Sequence, residues 1–203
     1  MSISQLNIDV FRSINDVGKA HHSLEPVAVF MAEYMLYVLI LGMIVYWFTR
    51  TNQNRMMMIQ SVLAVVLAEV FGKIAGTLYS HNQPFAELPN VNKLVEHGVD
   101  NAFPSDHSII FFTVCVTIWL VRKKEGWIWL AVAAAVAISR VMVGVHYPGD
   151  VLTGALLGFI SALVMHWLVP KLAFLKGMLA QYEKIEQKIL PLKPKSEGRY
   201  KNF

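Results

Sequence analysis

Two short motifs in this sequence contain residue types that transfer protons and bind anions. The first, FPSDH at 103–107, opens an apolar run with a proline, a serine and a histidine. Proline fits the first turn of a helix, serine caps it, and the free N–H groups of a helix start attract anions. A histidine in that turn can give or take a proton near neutral pH. Taken alone, the motif fits equally well a capped helix whose His107 lies at a membrane interface.

The second motif, SRVMVGVHYPGD at 139–150, contains an arginine inside an apolar run. Burying Arg140 in a membrane span costs about 2.5 to 3.5 kcal/mol, so it needs an anionic partner or a wet cavity. No acidic residue lies within a helical turn of it. On an unbroken helix His146 would point about 120° away from Arg140. Gly144, Pro148 and Gly149 let the chain turn, and we expect the two side chains to meet.

Asp150 falls in the first turn of the next helix, where the helix dipole favours a carboxylate. From there it can hold a ring nitrogen of His146, as the acid does in a catalytic triad. The alternative is an arginine that extends to the surface beside an exposed histidine and aspartate. We favour the catalytic interpretation, because the 103–107 motif is expected on the same face of the molecule.

The composition describes the scaffold that must position these residues. The chain has 203 residues, of which 55% are hydrophobic and 16% charged, and its mean hydropathy is +0.46. These values argue against an ordinary soluble domain and against disorder. The single cysteine, Cys115, excludes an intrachain disulfide. A net charge of +4 is compatible with nucleic-acid binding, but the basic residues cluster at the ends of apolar segments, which indicates membrane topology instead.

The apolar runs predict an all-α membrane protein, a single domain over 1–203 with about five transmembrane helices. A span needs about 20 apolar residues, and the predicted spans are 27–48, 56–79, 104–121, 127–145 and 148–169. Residues 1–26 lack the pattern of a signal peptide and predict an amphipathic helix in the membrane interface, with its apolar side formed by Leu6, Val10, Phe11, Ile14 and Val17.

The distribution of lysine and arginine predicts the orientation. Segments 49–55, 121–126 and 170–203 hold thirteen of the eighteen basic residues. By the positive-inside rule these segments are cytoplasmic, and loop 81–103 and both motifs face outward. The basic tail 170–203 has an apolar stripe, Leu179, Tyr182, Ile185 and Ile189, that suits a helix on anionic lipid. Binding of a protein partner is the less favoured alternative.

The two motifs together, PSDH followed by SR-x5-H-x3-D, resemble those of the type 2 phosphatidic acid phosphatase (PAP2) superfamily. The PSDH variant, the stretch GVHYPGDV at 144–151 and the small size are similar to its branch of BcrC-type undecaprenyl-diphosphatases. The resemblance implies that His146 attacks phosphorus, His107 protonates the leaving oxygen and Asp150 orients His146. It further implies that Arg140 and Ser105 hold phosphoryl oxygens, with Ser139 and the backbone N–H of Asp106 beside them.

One motif of the superfamily is altered in this chain. The usual pattern is a lysine, six residues and Arg-Pro, whereas this sequence has Gln83 in place of the arginine and Gly76 in place of the lysine. Gln83 can still donate hydrogen bonds to a phosphate, without the strength of a guanidinium. Lys73 is a further candidate ligand, although we favour an ion pair with Glu69, four residues earlier on the same helix face. His81 or Lys93 are weaker candidates for the missing positive charge.

The resemblance implies an integral bacterial plasma-membrane phosphatase that releases phosphate from undecaprenyl diphosphate through a phosphohistidine, recycles the cell-wall lipid carrier and confers tolerance to bacitracin. Its partners would be this polyprenyl lipid and membrane lipids, with no nucleic acid. No metal or cofactor is expected, since the His and Asp positions match a metal-independent constellation. His97 and His166 are expected to be interface residues. Two alternatives stay open: a phosphatase for phosphatidylglycerophosphate, phosphatidate or diacylglycerol pyrophosphate, and a lipid-phosphate binder or transporter without turnover.

Overall fold

The structure is a computed structural model that describes residues 2–190, and this part of the chain is helical with no strand. Its long helices are α1 Ile3–Ala20, α2 His22–Phe48, α3 Asn52–Leu78, α4 Asp106–Val121, α5 Lys123–Met142, α6 Pro148–Leu168 and α7 Ala173–Ile189. A single turn, Pro84–Glu87, interrupts the connection between α3 and α4. The chain divides into two units, Met1–His166 and Trp167–Phe203. The predicted all-α class is confirmed.

Five helices correspond to the five predicted spans. Among the described residues, α2, α3, α5 and α6 are long and apolar enough to cross a membrane, whereas α4 is apolar but has only 16 residues. At 1.5 Å per residue α4 is about 24 Å long, shorter than a hydrocarbon layer of about 30 Å. Large apolar side chains such as Tyr37, Leu41, Leu152 and Leu156 are exposed on α2 and α6. An apolar exterior is stable only in lipid, so this is a multi-pass membrane protein.

Helix α4 lies at the centre of the bundle, packed between α3 and α5. The core around it is built from side chains of α2 to α5, among them Leu39, Met57, Phe111, Ile118 and Val136. Helix α6 approaches α4 closely through two glycines. A Cβ atom on Gly154 would lie 2.6 Å from the Ser105 carbonyl oxygen, and one on Gly158 would lie 2.8 Å from that of Ile109. This close approach places the N-terminal ends of α4 and α6 side by side.

The turn between α5 and α6 corrects one predicted boundary. The fourth span was expected to reach Val145, but α5 ends at Met142. The reason is Gly144, whose φ of +87° lies in the left-handed region, and whose missing Cβ leaves room for the Asn92 carbonyl oxygen, which would be 2.8 Å away. His146 and Tyr147 therefore belong to a turn. We call the end of the bundle formed by this turn and loop 81–103 the site end.

Helix α1 covers part of the site end. Phe11 is fully buried against Val141 and Tyr147. The Asn15 side chain donates to the carbonyls of Asn92 and Met142, at 3.0 and 2.8 Å, and accepts from the Asn92 N–H at 2.9 Å. Leu6, Val10 and Val17 stay exposed. The predicted amphipathic helix is present, and one part of its apolar side packs on protein.

The second unit contains α7, on which the predicted stripe of Leu179, Tyr182, Ile185 and Ile189 lies. Tyr182, Ile185 and Ile189 are exposed and Leu179 is buried. The last basic residues of the predicted tail, Lys193, Lys195, Arg199 and Lys201, lie outside the described residues.

Candidate active site

A cavity of about 200 Å³ at the site end brings the two motifs together. Four of the predicted residues line it: Asp106 and His107 from the first turn of α4, Arg140 from the last turn of α5, and His146 from the turn that follows. Side chains from the long connection before α4 and from α4 itself complete the lining, namely His97, Asp100, Asn101, Pro104 and Ile110. The predicted meeting of Arg140 with both histidines is therefore observed.

The buried His146 ring has a defined protonation pattern. Its Nδ1 lies 2.9 Å from the carbonyl oxygen of Ala102. A carbonyl oxygen can only accept, so Nδ1 carries the proton and the neutral ring keeps its lone pair on Nε2. Burial lowers the pKa of His146 below its usual 6.5, with nearby Asp150 acting in the opposite direction. A neutral imidazole with a free Nε2 lone pair is a competent nucleophile at neutral pH.

Asp150 has different partners from those predicted. One carboxylate oxygen accepts the Tyr147 N–H at 2.8 Å and lies 3.7 Å from His146 Nδ1, too far for a hydrogen bond. The other oxygen lies 3.0 Å from His81 Nε2. The expected hydrogen bond from His146 to Asp150 is replaced by the one to Ala102, because the carboxylate is already engaged at the start of α6. Asp150 still places a negative charge beside His146.

Arg140 forms an ion pair with Glu33, an acidic residue distant in the sequence. Its side chain is 3% exposed, and NH1 donates to the Ala32 carbonyl at 3.1 Å and to Glu33 Oε1 at 3.3 Å. Both acceptors lie in the π-helical turn Phe30–Tyr34 of α2. The buried Nε of Arg140 has no hydrogen-bond partner. Since an unsatisfied buried donor is costly, this N–H of a cavity-lining arginine is well suited to an anion.

Three predicted substrate ligands surround the cavity without lining it. The Ser105 hydroxyl caps α4, 3.5 Å from the Ser108 N–H, and the Ser139 hydroxyl donates to the Val136 carbonyl at 2.7 Å. Gln83 is fully buried, and its amide pairs with Asp100: the side-chain NH2 donates to the carboxylate, and the carbonyl accepts the Asp100 N–H at 3.1 Å. Gln83 thus holds a residue of the cavity wall.

Close packing explains why a glycine, Gly76, stands in the altered motif. A Cβ on Gly76 would lie 2.9 Å from the Phe103 carbonyl oxygen and 3.0 Å from Asn101 Nδ2. Asn101 Nδ2 donates to the carbonyls of Gly76 and Phe103, at 3.1 and 2.9 Å. Gly76 lets residues 101–103 lie directly on α3, and these residues present the Ala102 carbonyl to His146.

Lys73 does not form the predicted ion pair with Glu69. Glu69 Oε1 has no hydrogen-bond partner, and within residues 2–190 Lys73 makes no ion pair. Lys73 is exposed on a groove of about 420 Å³ that it lines with Thr77 and other residues. This groove shares Asn101, Pro104 and Asp106 with the cavity of the two histidines. Lys73 therefore lies on the groove beside the cavity and is not held in a salt bridge with Glu69.

Several residues of the site were not found from the sequence. His97, expected at the interface, lines the cavity, and Lys93 donates to its carbonyl at 2.8 Å without lining the cavity itself. Glu33 could have been suspected as an acid in an apolar span. No sequence pattern pointed to Asn101 or to the Ala102 carbonyl. In the described part of the chain, no three His, Cys, Asp or Glu side chains are grouped as metal ligands.

Comparisons with known proteins identify the family of this chain. A family model described as "PAP2 superfamily" matches residues 56–174. "Bacitracin transport permease protein BcrC" of Bacillus licheniformis is 59% identical over the full length of both chains. "Undecaprenyl-diphosphatase BcrC" of Bacillus subtilis is 28% identical over 72% of this chain and 76% of its own. The crystal structure of Aquifex aeolicus LpxE aligns with a TM-score of 0.69 and 28% identity, covering 81% of this chain and 98% of that one.

Proposed function

This chain belongs to the PAP2 superfamily, and on that premise we propose that it is an integral membrane phosphatase acting on undecaprenyl diphosphate. It releases the terminal phosphate and returns undecaprenyl phosphate, the lipid carrier of cell-wall synthesis. The observation that carries the proposal is the cavity that His107, Arg140 and His146 line together. The His146 Nδ1 is bonded to a carbonyl, which leaves Nε2 unprotonated, and Arg140 Nε has no hydrogen-bond partner. A relative named undecaprenyl-diphosphatase supports the choice of substrate.

The proposed reaction has two steps. His146 Nε2 attacks the terminal phosphorus, the bond from that phosphorus to the bridging oxygen breaks, and His107 protonates the oxygen that leaves with the lipid phosphate. A water molecule then attacks the phosphohistidine while His107 takes up its proton, which releases inorganic phosphate and restores His146. Arg140 neutralises the charge on the transferred phosphoryl oxygens. The Asp106 N–H at the start of α4 supports the same oxygens, whereas Ser105 and Ser139 stabilise the ends of α4 and α5 from outside the cavity.

The groove beside the cavity supports a diphosphate substrate. We assign the cavity to the terminal phosphate. The neighbouring groove shares Asp106 with the cavity and extends to Lys73. We assign the groove to the phosphate that stays on the lipid, with Lys73 as its cationic partner. Gln83 contributes by holding Asp100 in the wall.

The proposed orientation places the site end outside the bacterial plasma membrane. The opposite ends of the spans carry Arg50, Arg55, Arg122, Lys123 and Lys124, which the positive-inside rule assigns to the cytoplasm together with the C-terminus. Diphosphate released outside by cell-wall synthesis would then reach the cavity directly. Conversion of the diphosphate would also remove the target of bacitracin, in line with the names of the relatives.

A second candidate is a lipid-phosphate binder or transporter without turnover, and the word "transport" in the name of the Bacillus licheniformis relative is the reason to test it. Purified protein given labelled undecaprenyl diphosphate should release inorganic phosphate and, after rapid quenching, show an acid-labile phosphohistidine. His146→Ala should abolish both signals, and His22→Ala, which changes an exposed histidine at the start of α2, should retain them. Binding without label transfer would favour the transporter. A panel of phosphatidylglycerophosphate, phosphatidate and diacylglycerol pyrophosphate tests the other PAP2 activities.

A further inference from the structure

A third histidine, His81, is bonded at both ring nitrogens on the far side of Asp150 from His146. Its Nε2 lies 3.0 Å from Asp150 Oδ1, and its Nδ1 lies 2.9 Å from the carbonyl oxygen of Asn82. Both partners can only accept, since one is a carboxylate and the other a backbone carbonyl. A neutral imidazole has one N–H and can satisfy only one of them. The geometry therefore calls for the doubly protonated, cationic ring.

The surroundings of His81 favour this cation. The aromatic rings of Tyr79, Tyr147 and Phe103 enclose it, with centroids 5.4, 5.4 and 6.2 Å away. The charged groups that face it are Asp150 from α6 and Glu87 from the single turn before loop 88–103, and Glu87 also accepts from the Tyr147 hydroxyl at 3.1 Å. The hydrogen bond to Asp150 raises the pKa of His81 above 6.5, and partial burial opposes it.

Two other basic groups, His146 and Arg12, lie on the segments around Asp150 and His81. His146 lies beyond Asp150, and Arg12 of α1 donates to the Pro89 carbonyl at 2.7 Å. Between α1 and α6, His81 borders a separate groove of about 490 Å³ whose lining includes Asn7 and Leu6 but no basic side chain besides His81 among the described residues. Nothing on these elements competes with His81 as the counter-ion of Asp150.

Asp150 depends on this partner. Its side chain is 1% exposed, and its hydrogen bonds come from the Tyr147 N–H and from His81. A buried carboxylate that loses a charged partner is strongly destabilised or changes position. The same carboxylate lies 3.7 Å from His146 Nδ1, where attack on phosphorus creates positive charge. A shift of Asp150 would therefore change the electrostatic stabilisation of His146, the proposed nucleophile.

We propose that His81 is a positioning residue that, as an imidazolium, fixes Asp150 beside His146, and that loss of its proton at alkaline pH weakens catalysis. The inference rests on the proposed phosphatase function. It also shows where one positive charge near the altered motif is used: His81, two residues before Gln83, balances Asp150 instead of entering the phosphate cavity.

Two variants separate a specific role from a structural one. His81→Ala removes the donor to Asp150, and we expect kcat/KM for phosphate release to fall by about 10- to 100-fold, the loss typical of a hydrogen bond to a charged group. His81→Gln restores an N–H near the former Nε2 but not the charge, so activity near neutral pH should recover only in part, to about three- to tenfold below wild type. Equal activity of His81→Ala and wild type, or no rescue by glutamine, overturns the proposal.

The pH dependence tests the charge. The ratio of wild-type kcat/KM to that of His81→Gln should fall as the pH rises above 6.5, because only the wild type loses the His81 proton. Ionisations of His107 and His146 occur in both proteins and cancel in the ratio. A constant ratio overturns the titration. If the wild type releases no phosphate, the proposed function fails; the His81 pair is then judged by melting temperature, which alanine should lower and glutamine restore, and an unchanged value with alanine refutes it.

Discussion

Replacing Gly76 by alanine tests how the site is built. On an ordinary helix surface this change stabilises a protein by about 1 kcal/mol, because glycine is a poor helix former. At Gly76 the new Cβ would lie 2.9 Å from the Phe103 carbonyl oxygen and 3.0 Å from Asn101 Nδ2. The first neighbour is backbone, and the second is anchored by hydrogen bonds to Gly76 and Phe103. Neither can move without displacing residues 101–103.

The expected magnitude follows from two opposing effects. Overpacking of this kind costs about 1 to 3 kcal/mol, which exceeds the helix gain and leaves a net loss of about 1 kcal/mol. For a chain of 203 residues that corresponds to a melting temperature about 2 to 4 °C lower. Activity should fall further, because Ala102 lies within the displaced segment and its carbonyl holds His146 Nδ1. A shift of a few tenths of an ångström predicts about tenfold lower kcat/KM.

The assay compares two alanine variants in the same detergent. Gly177→Ala is the matched control, because Gly177 lies inside α7 with no atom near its virtual Cβ; we expect it not to lower the melting temperature or phosphate release. Gly76→Ala should lower both. A Gly76→Ala protein that melts at or above the wild-type temperature and keeps full activity would refute the role assigned to the contact between α3 and residues 101–103.

Three further outcomes are expected. Arg140→Lys should lower kcat/KM by about 100-fold or more. The planar guanidinium can donate to the acceptors on α2 and to a phosphate at the same time, and an ammonium cannot. Near-normal rates would contradict this. Lys73→Met should reduce kcat/KM for a lipid diphosphate about tenfold and spare a lipid monophosphate, with Lys124→Met at the opposite end of the bundle as control. Burial lowers the pKa of His146, so its neutral form, the proposed nucleophile, persists below pH 6.5. In a plot of kcat/KM against pH, the midpoint of the acid limb should therefore lie below pH 6.5. A midpoint above 6.5 would count against His146 as nucleophile.

Much of the architecture follows from local sequence patterns. Apolar runs of about 20 residues between basic or Pro-containing segments predicted all five helices of the bundle, because a membrane imposes length and polarity on each segment independently. The helix cap at Ser105 and the turn around Gly144 were also encoded locally. They bring His107, Arg140 and His146 to one cavity, as the motif spacing predicted.

The parts that could not be predicted depend on contacts between distant segments. Arg140 pairs with Glu33, 107 positions away, and nothing near Arg140 identifies this partner. The Ala102 carbonyl reaches His146 only because α3 carries a glycine where loop and helix cross. Asp150 is hydrogen-bonded to His81 and not to His146 for a related reason. The packing of segment 79–83 places the His81 ring, a competing hydrogen-bond donor, beside the carboxylate. Each is a property of tertiary packing that spacing alone does not contain.

His146 is held by a main-chain oxygen, that of Ala102, and mutagenesis cannot remove this contact directly. No codon change at position 102 deletes that acceptor, so mutational scanning there would report only whether a larger side chain fits the fully buried space of Ala102. Damage to the contact would instead map to Gly76 and Asn101, which shape the path of the chain. A survey that ranks positions by side-chain chemistry would overlook the Ala102 oxygen that contacts His146 and would assign its effect to a glycine on another helix.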